Sequence, residues 1–254
     1  MCRLGIILFL ASLLGPAASF AQVVVGGPTP THVYSFDRDL SDSAGNIALQ
    51  SLSGTVADGV FTFQANPGLL LVDPAINPAT YTIEAWFKFD TVSGYRRILD
   101  FRNRTSDTGL YNLSGSLNFY TAATASVSDF VAGQLMHVVV TRLAETGEFA
   151  GYVNGQLRLA FTDSSSLATL SGPEKQLYFF TDDNAVGNEA SSGSVDFIRL
   201  YDQALSSEQV LSLYNNGAPL AVPEPATWAL LASGALLVGF VTRRKAGPAL
   251  RAGR

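Results

Sequence analysis

The stretch Tyr81-Thr82-Ile83-Glu84-Ala85-Trp86-Phe87-Lys88-Phe89 sets the fold class, because its odd positions are all apolar and its even positions carry Thr82, Glu84 and Lys88. A period of two lays one face of a β-strand on a core. Trp86 is the exception and falls on the polar face. A second pattern follows at Glu148 to Phe161. Phe149 and Val153 precede Asn154-Gly155, and Leu157, Leu159 and Phe161 alternate with polar or small residues after it. Asn-Gly accepts positive φ at both positions and so predicts a tight hairpin. Further strands are expected at Val33 to Phe36, Val60 to Phe63, Ile98 to Phe101, Leu117 to Tyr120, Leu135 to Arg142, Leu177 to Phe180 and Val195 to Tyr201. Short strands separated by Gly, Asn, Asp and Ser describe an all-β antiparallel sandwich.

One helix is expected near the end of this region. Ser206 can cap with Gln209, and Leu205 can pack on Val210, which combines a capping box with a hydrophobic staple. The helix should run through Leu213 and Tyr214 for roughly two turns and stop at Asn215-Asn216-Gly217. With no long Ser/Pro linker and no internal repeat between them, residues 22–217 read as one domain.

Four stretches together resemble laminin-G-like, concanavalin A-like domains: residues 81–88, Gly133 to Arg142, Gly151 to Gly155, and Gly193 to Tyr201 followed by Ala204-Leu205-Ser206. The resemblance implies a jelly roll of two curved antiparallel sheets. It covers most of residues 30–217, and its one departure is Leu135-Met136, where family members often carry Trp before the His of the central strand. The fold hosts lectins, adhesion modules, spacers and glycosidases, so it leaves function open.

Both ends of the chain read as export signals. Arg3, the apolar run Leu4 to Leu14 and the small residues before Ala21 form a signal peptide over residues 1–21. Cleavage there removes Cys2, the single cysteine, so the mature chain has no thiol and no disulfide. In the tail, residues 218–254, Pro223-Glu224-Pro225 precedes an apolar segment over 226–241 and a basic cluster at 243–245. That segment is about 15 residues long, short of the roughly 20 that cross a bilayer comfortably. Five of the 16 Lys and Arg lie in the last 12 residues, which holds that end in the cytoplasm and the domain outside. Pro223, Glu224, Pro225, Arg243 and Arg244 resemble the PEP-CTERM sorting signal, whose processing enzyme is an exosortase. The resemblance implies a bacterial protein exported across the inner membrane, held by its C-terminal helix until processing, and destined for the cell surface or extracellular matrix. The alternative is an ordinary C-terminal anchor.

Without its signal peptide and tail the chain carries 10 basic against 21 acidic residues, net −11 over residues 22–225. Such a balance argues against nucleic acid, whose phosphates need Lys and Arg. Catalysis is not expected: no strand carries paired carboxylates flanking a sugar bond, histidines number only two, His32 and His137, and the immediate neighbours of His137 include no hydroxyl or thiol for it to activate. Two acidic stretches offer the oxygen ligands that calcium takes from loops. One holds Asp37, Asp39 and Asp42, the other Asp182 and Asp183 with Glu189 close by; Asp196 stands where relatives often carry Asp. For each stretch taken alone, turn residues bonded to their own backbone are the simpler account. Sugar binding needs an aromatic platform, for which Trp86, Tyr95, Tyr111, Tyr120 and Tyr152 qualify by type, Trp86 first. The expectation is a non-catalytic surface or matrix protein that binds carbohydrate such as exopolysaccharide, with calcium as its one candidate cofactor. A structural or adhesive protein that contacts other matrix proteins is the alternative, and a glycan hydrolase a third class.

Overall fold

The structure, a computed structural model, describes residues 27–217. The expected signal peptide and sorting tail lie outside the described residues. Fifteen strands precede one helix: β1 (His32–Tyr34), β2 (Gln50–Ser51), β3 (Thr55–Ala57), β4 (Val60–Phe63), β5 (Leu69–Val72), β6 (Tyr81–Phe89), β7 (Tyr95–Asp100), β8 (Gly109–Leu113), β9 (Ser116–Tyr120), β10 (Ala123–Ser128), β11 (Met136–Arg142), β12 (Glu148–Val153), β13 (Gln156–Thr162), β14 (Gln176–Phe179), β15 (Gly193–Tyr201) and α1 (Ser207–Gly217). The first sheet runs β13-β12-β11-β6-β15-β4-β3, with β1 also paired to β15. The second runs β10-β9-β8-β7-β14-β5-β2. Neighbours are antiparallel throughout, as a jelly-roll sandwich requires.

Between the sheets lies an aromatic core. Phe63 stacks on Phe180 at 4.5 Å, Phe87 meets Phe180 at 4.9 Å, and Phe119 meets Phe149 at 5.0 Å. Such rings bury large apolar areas and prefer these offset contacts. The odd residues of β6 point into this core, as their alternation predicts. Asn154 and Gly155 turn the β12–β13 hairpin with φ of 50° and 74°, and the Asn154 side chain accepts from His137 N at 3.1 Å.

The even face of β6 is buried too. Helix α1 and the chain leading into it lie over the first sheet, where Thr82 Oγ1 donates to Gln203 O at 2.7 Å and accepts from Leu205 N at 3.0 Å. The capping box forms: Gln209 N donates to Ser206 Oγ at 3.3 Å, and Ser206 N to Gln209 Oε1 at 2.9 Å. Leu205 and Val210 share a second, smaller core with Val139, Tyr152 and Tyr201. The helix is 11 residues long, about three turns rather than the expected two, and ends at Gly217, the last residue of the expected Asn215-Asn216-Gly217 stop. Asn216 holds that last turn by donating to Ser212 O at 2.8 Å.

Candidate functional site

The outer face of the second sheet is where charged and aromatic side chains converge. Its geometry begins with a bulge in β7. Arg97 opposes Tyr111 while Leu99 opposes Leu110, so Ile98 and Leu99 both enter the core and Arg97 turns outward. Because Leu110, Leu117 and Phe119 also point inward, Arg97, Tyr111, Asn118 and Thr124 form one row across β7, β8, β9 and β10 on the opposite side.

Arg97 is nevertheless fully buried. Its guanidinium carbon lies 4.4 Å from the centre of the Tyr111 ring. Nη1 donates to Asp100 Oδ2 at 3.0 Å and to Thr108 O at 3.2 Å. Nη2 contacts Tyr111 Oη, Asp183 and Asp107. Room for the group comes from Gly109, where a Cβ would stand 2.5 Å from Nη1. The carboxylates around it are fixed by their own loops. Asp100 accepts from Arg102 N and Arg104 N at 3.0 and 2.8 Å, and Asp183 from Val186 N at 2.7 Å. Asp182 accepts from Asp183 N and Glu189 N at 3.1 and 2.9 Å, which winds the segment after β14 over β7.

Carboxylate oxygens of Asp107, Asp183 and Glu189 lie within 4.8 Å of one another. Glu189 Oε2 is shielded from solvent and has no hydrogen-bond partner. Burial, and then the negative charge of Asp107, push the Glu189 carboxyl from its ordinary 4.5 up to about 7. Beside these acids, Tyr95, Tyr111 and Tyr120 pack edge to face at 5.4, 5.7 and 6.5 Å, with Tyr95 and Tyr120 partly exposed.

A testable consequence concerns Glu189. Its carboxyl titrates higher in the folded chain than in the unfolded one, so the folded state holds the extra proton between about 4.5 and 7. Stability contributed by that proton is full below the lower value and is lost as pH rises through the upper one. Glu189→Gln is therefore expected to raise the melting temperature above about pH 7 and to leave it unchanged below about pH 4.5. Melts across this range check it, and a variant less stable at the alkaline end contradicts it.

The other expected site residues are dispersed. Asp37 accepts from Ser35 Oγ at 2.7 Å and Asp39 from Ser41 N at 2.8 Å, each in an exposed turn. Asp42 turns to β1, bonding His32 Nδ1 at 2.7 Å and Val33 N at 2.9 Å. Asp196 is half-buried, its carboxyl raised by burial and then by the charge of Asp37. Trp86 lies under α1, 6% exposed, its ring stacked on Tyr214 at 5.8 Å. Next to it the fold pairs His137 Nε2 with Glu84 Oε1 at 3.0 Å, and Tyr201 Oη donates to Glu84 Oε2 at 2.9 Å. All three are sealed beneath the helix.

Of the six expected aspartates, then, only Asp182 and Asp183 reach the aromatic face. Arg97, Asp100 and Asp107 complete it and were not anticipated. The available signal was an arginine pair, Arg96-Arg97, inside a strand that ends Ile98-Leu99. For calcium the donor chemistry is suitable, since all three converging side chains are carboxylates. The arrangement is not: Arg97 stands against Asp107 and Asp183, so a guanidinium already meets the charge a metal ion would neutralise.

Residues 63–211 match the family model of the concanavalin A-like lectin/glucanases superfamily, and the chain belongs to that family. Residues 221–245 match the PEP-CTERM protein-sorting motif. No curated protein matches the sequence. Among solved structures the fold is similar to domain 4 of AbnA, an extracellular arabinanase from Geobacillus stearothermophilus, solved in complex with arabinotriose. The TM-score is 0.56 at 19% identity, covering 74% of this chain and 99% of that one. It is also similar to the botulinum neurotoxin serotype D binding domain, with a TM-score of 0.56 at 14% identity over 76% of this chain and 52% of that one. The same neurotoxin domain has been solved with N-acetylneuraminic acid. Trypanosoma rangeli sialidase gives a TM-score of 0.57 at 16% identity over 77% of this chain and 34% of the enzyme. The chain thus spans about half of the neurotoxin domain and a third of the sialidase, and nearly all of the arabinanase domain. Among the described residues no helix is long and apolar enough to cross a membrane.

Proposed function

We propose that the protein is a non-catalytic carbohydrate-binding domain of the bacterial surface or extracellular matrix, and that it binds sugar on the outer face of the second sheet. The observation that carries this is the half-exposed tyrosine pair, Tyr95 and Tyr120, braced edge-on by buried Tyr111 and bordered by Asp107 and Glu189. Aromatic rings supply apolar area to the C–H faces of a sugar, and carboxylates accept from its hydroxyls. The arabinanase domain solved with arabinotriose supports the reading, since it matches this chain over almost its whole length.

Delivery follows from the two ends of the chain. Signal peptidase removes residues 1–21, the tail holds the domain outside the inner membrane, and an exosortase acts near Pro223-Glu224-Pro225 before release. Asp107 and Asp183 are committed to Arg97, and Glu84 with His137 is closed off by α1, which supports binding without turnover. With Arg97 in place the reading needs no calcium. A glycan panel that includes the host's exopolysaccharide, run with calcium and with chelator, is expected to give binding in both conditions. Tyr95→Ala and Tyr120→Ala should each weaken it about fivefold, the loss of about 1 kcal/mol of aromatic contact. Absence of binding to every glycan, or variants that bind like the parent, removes the proposal and favours a protein-contacting matrix component. Binding lost on chelation restores calcium as a cofactor.

A further inference from the structure

We infer that the sugar this face selects carries free amines, a hexosamine oligosaccharide with protonated amino groups; the inference rests on the carbohydrate reading above and narrows it. Three observations converge. The first is charge. Arg97 pairs with Asp100, Asp107 and Asp183, while Glu189 forms no ion pair among the described residues. With the chain at net −11 over residues 22–225, a carboxylated or sulfated glycan meets a net like charge.

The second is hydrogen bonding. Two enclosed oxygens on this side of the sheet lack partners, Glu189 Oε2 and Asn118 Oδ1, and both are acceptors. Asn118 is only 4% exposed and stands beside Tyr111 in the cross-strand row. Buried acceptors left unpaired cost stability, and an ammonium group, which only donates, answers both the charge and the missing bonds. The third is the tyrosine group, whose ring faces attract cations while offering a sugar its platform. A metal ion could also coordinate the unpaired oxygens, but it would share Asp107 and Asp183 with Arg97, whose guanidinium already meets their charge.

Titration calorimetry on the full chain in non-ionic detergent, near neutral pH, compares a glucosamine tetramer, the N-acetylglucosamine tetramer of the same linkage, and spermine. The glucosamine tetramer is expected to bind at least about tenfold more tightly than the acetylated one, a preference that corresponds to roughly 1.4 kcal/mol. The preference should shrink in high salt. Glu189→Gln should bring the glucosamine tetramer down to the level of the acetylated one, with an unchanged circular dichroism spectrum confirming the fold. Equal or tighter binding of the acetylated tetramer overturns the amine inference and leaves the carbohydrate reading standing. Spermine binding as tightly as the glucosamine tetramer overturns it too, because charge alone would then suffice. If neither tetramer binds while other glycans do, the inference falls alone; if no glycan binds, both fall.

Discussion

Arg97→Met is expected to abolish cooperative folding at neutral pH, or to lower the melting temperature by at least 10 °C. Arg97 and Asp100 are both completely buried, and Asp183 is 5% exposed. Removing one partner of a buried ion pair costs about 3–5 kcal/mol, because the other charge is left in a low-dielectric interior. Here one substitution strands two carboxylates and also uncovers the face of Tyr111. A domain holds only about 5–15 kcal/mol in total, and for this size each kcal/mol moves the melt by about 2–4 °C. Met fills much of the volume, so the loss is electrostatic rather than a cavity. It follows that the triple variant Arg97→Met, Asp100→Asn, Asp183→Asn should recover most of the stability. Acidification should also help the single variant, since protonation removes the stranded charges. A single variant that melts within a few degrees of the parent would show that Arg97 is not the internal counter-ion.

How much of this was legible in the sequence depends on the range of the interaction. The strand Tyr81–Phe89, the Asn154-Gly155 hairpin and the Ser206 cap are local patterns, and each forms where the residues predict it. Five strands lie outside the sequence-based expectation: β2, β3 and β10 carry mostly small or polar residues and bury little, while β5 and β8 are buried but, at four and five residues, too short to show a period. The site was harder to read. Asp107 and Asp183 meet because β14 pairs with β7, Phe179 opposite Leu99, which carries the following loop across the β7–β8 connection. No spacing along the chain encodes that. Conversely, the run from Asp37 to Asp42 looks like a site by composition, yet each carboxylate bonds locally. Trp86 was placed correctly on the second face of its strand; what alternation alone cannot supply is the helix that covers it.

That helix leads to the second large effect. Cutting the chain after Gly217 should leave the melt of the domain unchanged, whereas cutting after Ala204 should lower it by at least 10 °C or prevent folding. The reason is which surfaces each cut uncovers. Leu205 and Val210 are buried against Val139, Tyr152 and Tyr201, and Tyr214 covers both Trp86 and His137. Burying a large apolar side chain contributes about 1.5–3 kcal/mol, so losing Leu205 and Val210 costs about 3–6 kcal/mol, to which the half-buried Tyr214 adds. The shorter cut also opens Glu84 and His137 to solvent and removes the Leu205 N bond to Thr82. Five residues, 218–222, separate the helix from Pro223, and an extended chain of that length reaches at most about 18 Å. Under the processing proposed above, a cut at Pro223-Glu224-Pro225 falls within that reach of α1, and the truncation after Gly217 stands in for the cut product. Thermal melts of the two truncations alongside the full chain test this directly. Equal stability of all three would mean that α1 is a passive connector; a loss confined to the shorter chain makes it the last structural element of the domain and sets the innermost position at which the tail can be cut without unfolding it.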